Sequence, residues 1–172
     1  MNIVVAACKN RGIGINNMLP WCLTNDLKYF RFLTKNKGNN AIVMGKNTCL
    51  SLPRALSKLV DYVLSKSLQN PTTERVEFLV SGGYGYFRII EDLNHVSKEK
   101  YDNIWLIGSD KVYTSLIDSD MINSIYYTDI DADFKCDTYF PEIPNKFKGV
   151  FQSENFNEND INYNMKVYVK EG

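Results

Sequence analysis

The chain has 172 residues, with 20 Lys and Arg balancing 20 Asp and Glu and 44% hydrophobic residues. That suits one domain with its own core and no strong field toward nucleic acid or a membrane surface. The four cysteines form no CxxC pair and the only histidine is His95, which disfavours a disulfide framework, a structural zinc site and His-dependent nucleophilic hydrolysis. The apolar runs are strand-sized and no secretory leader pattern is apparent, so a reducing, cytoplasmic setting is expected.

The first strand candidate covers residues 3–8, where the continuous apolar run Ile3 to Ala7 suits a central strand covered on both faces. Asn10, Gly12, Gly14, Asn16 and Asn17 then supply residues that tolerate positive φ, and the chain is expected to wander over the strand ends. Leu19-Pro20-Trp21 stops it with a rigid kink. A helix over 25–35 follows, with Thr24 or Asn25 as its cap and Asp26 in its first turn. The spacing to Leu27 and Phe30 sets Asp26 on or beside the apolar face. Burial raises the pKa of such a carboxyl, and the helix N-terminus favours its charged form. The plain alternative is an acid at a helix start, turned to water.

Further strands are expected near 40–44, 59–64, 76–80, 103–107, 124–130, 148–153 and 163–169, and helices near 46–52, 86–93 and 110–118. The alternation predicts a single α/β domain over residues 1–172. Its central sheet is mostly parallel with helices on both faces, and it ends in an antiparallel C-terminal hairpin. Ligands of such sheets sit beyond the carboxyl ends of the strands. Two helix starts fall there. Gly45-Lys46-Asn47-Thr48 offers N–H groups, a lysine and a hydroxyl to a phosphate, and Gly108-Ser109-Asp110 is the second; either also reads as an ordinary strand-to-helix turn. Ser81-Gly82-Gly83-Tyr84-Gly85 fits no dinucleotide fingerprint and reads as a flexible loop. His95 lies in a polar stretch and reads as a solvated loop residue.

Six stretches, in order, resemble the motifs of the dihydrofolate reductase family. They are Gly12-Ile13-Gly14 with Asn16 and Leu19-Pro20-Trp21 and the acid five residues on; Val43 to Thr48 with Ser51-Leu52-Pro53; Val63-Leu64-Ser65-Lys66; Ile104 to Gly108 with Val112-Tyr113; Tyr127-Thr128; and Asp137 to Glu142. The resemblance implies NADPH as cofactor and dihydrofolate as substrate. It implies hydride transfer from nicotinamide C4 to pterin C6, with protonation at N5. It further implies a monomer, antifolates as possible ligands, and no metal, nucleic acid or membrane partner.

Carried over residue by residue, the resemblance makes Asp26, Thr128 and Trp21 the catalytic set, with Asp26 and Thr128 on the amidine edge of the pterin. Val4, Val5, Ala6, Leu27, Phe30, Leu52, Pro53, Leu56 and Ile107 would wall the substrate, and Lys58 would lie near its glutamyl tail. The cofactor would meet Ala6, Ile13, Gly14 and Asn16 from the first strand and lid. It would also meet Gly45, Lys46, Asn47 and Thr48, then Leu64, Ser65 and Lys66. Ile107, Gly108, Ser109, Asp110, Lys111, Val112 and Tyr113 complete that set. The loop from Lys9 to Trp21 would be a lid that excludes solvent.

Four departures from the family pattern carry expectations of their own. Ser109 replaces the second of two glycines joined by a cis peptide, and its Cβ is expected to crowd the cofactor. Leu59 stands where the family places the arginine that grips the glutamate α-carboxylate. Lys58 is one residue out of register, which in a strand means the opposite face, and lysine lacks the bidentate fork. Cys49 replaces a common Trp. Ser81 stands near a basic position for the 2′-phosphate, while Lys46 and Lys66 keep NADPH ahead of NADH. Two alternatives stay open: a reductase of another pterin or a pyrimidine, and a non-catalytic binding or assembly domain.

Overall fold

Neighbouring side chains of a strand point to opposite faces, so a strand that is apolar at every position needs a layer on each side. β1 (Asn2–Ala7) meets that condition: Ile3, Val5 and Ala7 enter one buried cluster and Val4 enters another. In β3 (Asn40–Gly45), Ala41 and Val43 join the first cluster and Ile42 and Met44 the second. The computed structural model describes residues 1–36, 38–51, 60–65, 76–80, 83–96 and 100–172.

The remaining strands are β2 (Gly12–Gly14), β4 (Val60–Leu64), β5 (Val76–Val80), β6 (Gly83–Ile90), β7 (Asn103–Leu106), β8 (Ser124–Ile130), β9 (Thr138–Tyr139), β10 (Phe147–Gln152), β11 (Phe156–Glu158) and β12 (Ile161–Lys170). The helices are α1 (Thr24–Lys35), α2 (Lys46–Ser51) and α3 (Asp110–Leu116). The main sheet runs β10-β12-β8-β1-β7-β3-β4-β6-β5, with β11 folded against β12. The six strands from β8 to β6 pair in parallel, whereas β5, β12 and β10 are antiparallel to their neighbours. β2 and β9 form a separate two-stranded ladder. α3 contributes Val112 and Tyr113 to one face, and Phe30 and Leu33 of α1 pack on the other with Cys49 of α2. The expected mostly parallel α/β sheet, covered on both faces and closed by an antiparallel hairpin, is the architecture found.

Two expectations fail in the same place. The helix expected at 86–93 is strand β6 followed by a short 3-10 turn, Leu93–His95. Gly83-Tyr84-Gly85, expected in a flexible loop, is the start of that strand, paired with Val80, Leu79 and Phe78; residues 81–82 lie outside the described residues. Phe87 enters one core cluster and Ile90 the other. That is the alternation of a strand between two layers, and parallel pairing with β4 completes it.

Asn40 ties the end of α1 to the sheet. Its Nδ2 donates to the carbonyls of Thr34 and Asn36, each at 2.9 Å, and Asn40 is 2% exposed. The last carbonyls of a helix have no intrahelical donor, so this buried amide supplies one from the first residue of β3. Asn40→Ala leaves those acceptors without it and is expected to cost about 2 kcal/mol, read from the midpoint of urea unfolding at unchanged slope.

Candidate active site

The register of β1 and β8 places Ala6 opposite Thr128, and α1 crosses the sheet on the same side. Thr128 is 3% exposed, and its Oγ1 donates to Asp26 Oδ1 at 2.7 Å. Asp26 is half-buried in the first turn of α1. Neither Thr24 nor Asn25 caps that helix, contrary to expectation: the N-cap position is Leu23, and no side-chain bond is made from it. The leading N–H groups are instead bound by Glu158 of β11, which accepts from Thr24 N at 2.7 Å and Asn25 N at 3.0 Å. Burial raises the Asp26 pKa above 3.8; the Thr128 hydrogen bond opposes the shift and the Glu158 charge adds to it. The Glu158 carboxyl is held below its ordinary value by the helix N–H groups it accepts.

A cleft of about 510 Å³ is lined by Asp26 and Thr128 together with Ile107 and Gly108. Val4, Val5, Ala6, Leu27 and Phe30, all expected on the substrate side, are among the residues that wall it. Ile13, Gly14, Asn47, Thr48, Ser109, Asp110 and Tyr113, expected on the cofactor side, line it too. The Tyr113 hydroxyl donates to Val4 O at 2.8 Å, tying α3 to the cleft floor. Asn17, Met18, Leu19, Tyr29, Ser51 and Thr138 also line the cleft and were not among the expected residues. Tyr29 lies one helical turn beyond Asn25 and Asp26, a spacing that the helix reading already contained.

Other expected residues stand apart from the wall. Trp21 is 7% exposed and packs edge-on against Phe134, with ring centroids 5.6 Å apart; its indole N–H is buried with no partner among the described residues. Asn16 supports the lid, Lys46 and Lys111 are exposed at helix starts, and Leu64 and Ser65 end β4 half-buried. Gly45 and Val112 pack behind the cleft. Leu52, Pro53, Leu56, Lys58, Leu59 and Lys66 lie outside the described residues.

The lid segment is held by the strand that follows it in space. Asn16 N donates to Asp137 Oδ2 at 3.0 Å, Asp137 N to Gly14 O at 2.9 Å, and Phe140 N to Arg11 O at 2.8 Å. Positive φ occurs at Arg11, Asn16 and Asn17 and not at Gly12 or Gly14. Gly12 is needed for close packing: a Cβ there would lie 2.9 Å from Cys8 Sγ and collide with Cys136.

The cofactor end rests on two adjoining turns, since Gly45 N donates to Gly108 O at 2.8 Å. The Gly108–Ser109 peptide is cis. A Cβ on Gly108 would collide with the Thr48 hydroxyl, and one on Gly45 would lie 2.7 Å from Ser109 Oγ and 3.0 Å from Val112 Cγ2. Ser109 thus lays its hydroxyl over the bare α-carbon of Gly45. Its Cβ was expected to crowd the cofactor; part of the added volume is turned against Gly45.

A family model described as "Dihydrofolate reductase" matches residues 1–170. The chain is 34% identical to dihydrofolate reductase of Drosophila melanogaster over 98% of its own length and 97% of that protein's. It is 34% identical to the enzyme of Mus musculus, covering 99% and 97%. It is 36% identical to the viral dihydrofolate reductase of Saimiriine herpesvirus 2, covering 99% and 84%.

The raised pKa of Asp26 has a consequence for stability. A carboxyl that binds its proton more tightly when folded adds stability below the unfolded value, and that stability is lost as pH rises through the folded value. Asp26→Asn is therefore expected to be more stable than the parent at neutral pH, with the difference gone below about 3.8; urea unfolding across pH 3 to 8 reads it. The second prediction concerns the packed turns. Gly45→Ala should cost about 1–3 kcal/mol by overpacking, and adding Ser109→Gly should recover part of that loss, a coupling that a double-mutant cycle of unfolding free energies measures.

Proposed function

The chain belongs to the dihydrofolate reductase family, and from that premise we propose that its cleft reduces 7,8-dihydrofolate to 5,6,7,8-tetrahydrofolate with NADPH. The observation that carries the reading is the Asp26–Thr128 pair at 2.7 Å, set in the wall of a largely apolar cleft that Gly108 also lines. Thr128 occupies one lone pair of Asp26 Oδ1 and orients the carboxyl. A carboxylate so held accepts paired N–H bonds from the amidine edge of a pterin. Asp26 lines the cleft with an elevated proton affinity, and it would favour proton uptake at N5 through water. The flat ring would lie between Phe30 and Ile107.

The residues on the cofactor side fit NADPH. The bare α-carbons of Gly45 and Gly108 let Ser109 and Thr48 pack close against them, which draws the two turns together where Asn47, Thr48, Gly108, Ser109 and Asp110 line the cleft. Lys46, Asn47 and Thr48 open α2, with the Lys46 side chain exposed, and suit pyrophosphate and adenosine-phosphate groups. When bound, the nicotinamide supplies the hydride. The chain's part is positioning: Ala6, Ile13 and Tyr113 bound the space where the reacting carbons would meet. The lid held on Asp137 would exclude water. We further infer one domain over residues 1–172, acting as a monomer in the reducing cytoplasm, consistent with free thiols at Cys8, Cys22, Cys49 and Cys136. Antifolates that present an amidine edge would use the same carboxylate.

Loss of NADPH absorbance on adding dihydrofolate tests the reading, and its absence with well-folded protein sinks it. Leu59 at the family's arginine position favours a loosely held glutamyl tail, so turnover should be compared with a dihydropterin that lacks glutamate. Similar kcat/KM for the two would identify a pterin reductase that ignores the tail. Lys46→Ala should weaken NADPH by roughly ten-fold or more, the value of a charged hydrogen bond, while dihydrofolate binding is unchanged. Fluorescence titration with each ligand measures both.

A further inference from the structure

We propose that Glu158, at the end of β11, is a positioning residue for Asp26, holding the first turn of α1 from the far edge of the sheet. α1 makes its first backbone bond from Leu27 N to Leu23 O at 3.1 Å, so the N–H groups of Thr24, Asn25 and Asp26 precede its ladder. A helix start of this kind is ordinarily satisfied by its own N-cap side chain, but Leu23 has no acceptor. Both Glu158 oxygens are used instead, Oε2 on Thr24 N at 2.7 Å and Oε1 on Asn25 N at 3.0 Å. The adjacent Asn159 donates from Nδ2 to Cys22 O at 2.9 Å, so the hairpin binds the segment that enters the helix at three points.

The hairpin is itself firmly built. Asn159 and Asp160 take positive φ of 54° and 61°, the two-residue turn that suits strand twist. Glu158 pairs with Ile161, and Tyr163, 2% exposed, packs on Phe156 with ring centroids 5.7 Å apart. Glu158 is therefore carried on a rigid element and reaches α1 directly before Asp26.

The placement acts on Asp26 in two ways. It fixes the turn from which the carboxyl reaches Thr128, and it sets a second negative charge near that carboxyl. Two influences at the helix start then oppose each other: the leading N–H groups favour an anion at Asp26, and Glu158 both accepts from two of those groups and repels that anion. The other titratable groups facing Asp26 are Tyr29 on α1 and Tyr163 on β12, with Tyr126 next to Tyr29 and Lys28 next to Glu158. Both phenols that face Asp26 are shifted upward and stay neutral at working pH, so Glu158 is the charge that matters.

The inference rests on Asp26 handling the proton, and the experiment separates the two. The carboxyl 13C signal of Asp26, identified by its loss in Asp26→Asn, is titrated in the parent, Glu158→Gln and Glu158→Ala, and the pH profile of turnover is recorded for each. Glu158→Gln keeps one acceptor without the charge. It is expected to move the Asp26 midpoint down, because a negative charge near the carboxyl is removed, with the turnover profile moving alongside. Glu158→Ala, which also frees the N–H groups, should move it at least as far. A midpoint unmoved in both folded variants, even with lowered stability, overturns the proposal and leaves Glu158 as a structural cap. A moved midpoint with an unmoved turnover profile upholds the role of Glu158 and removes Asp26 from the reaction.

Discussion

The parallel pairing of β1 with β8 is the constraint from which the site follows. It runs from Asn2 opposite Ser124 to Ala7 opposite Asp129, and a one-residue slip would turn every side chain to the other face. In the register found, Val5 and Tyr127 enter one core while Ala6 and Thr128 face the cleft. Ala6 is small enough to leave room, and Thr128 supplies the hydroxyl that orients Asp26. The apolar content of both strands thus fixes a polar contact between residues 102 positions apart. Burial of β1 on two faces makes that register expensive to change, and the geometry of the carboxyl inherits its rigidity.

The parts of this design that a single sequence carries are those with a local period. The all-apolar runs of β1 and β3, the alternation of strand and helix, and the acid beside Leu27 and Phe30 all predict their places because each pattern is a property of neighbouring residues. β6 escaped because Phe87, Ile89, Ile90 and Leu93 also fit a helix spacing, and only pairing with β4 and β5 decides for a strand. The helix cap escaped for a different reason. Thr24 and Asn25 are good capping residues, but the acceptor that binds the start of α1 comes from β11, and no local rule can name a partner 134 residues distant.

The lid makes a related point about glycine. Gly12 and Gly14 suggested a chain free to take positive φ, yet that conformation falls on Arg11, Asn16 and Asn17. Gly12 is a packing residue, pressed by Cys8 and Cys136. The asparagines take the left-handed turns at moderate cost, since their short polar side chains tolerate that region. A segment that looks loose in sequence is therefore bound along its length, by Asp137 at Gly14 and Asn16 and by Phe140 at Arg11.

Ser109 illustrates how a departure from a family pattern should be weighed. Taken alone, a side chain where two glycines are usual suggests a blocked cofactor groove. The adjoining turn takes up part of that volume, because Gly45 has no Cβ and Ser109 Oγ packs over its α-carbon. The backbone bond from Gly45 N to Gly108 O holds the two turns together, so neither can shift without the other. The physical unit is then the pair of turns and not the single position: the volume gained at one is accommodated in part by the volume absent at the other.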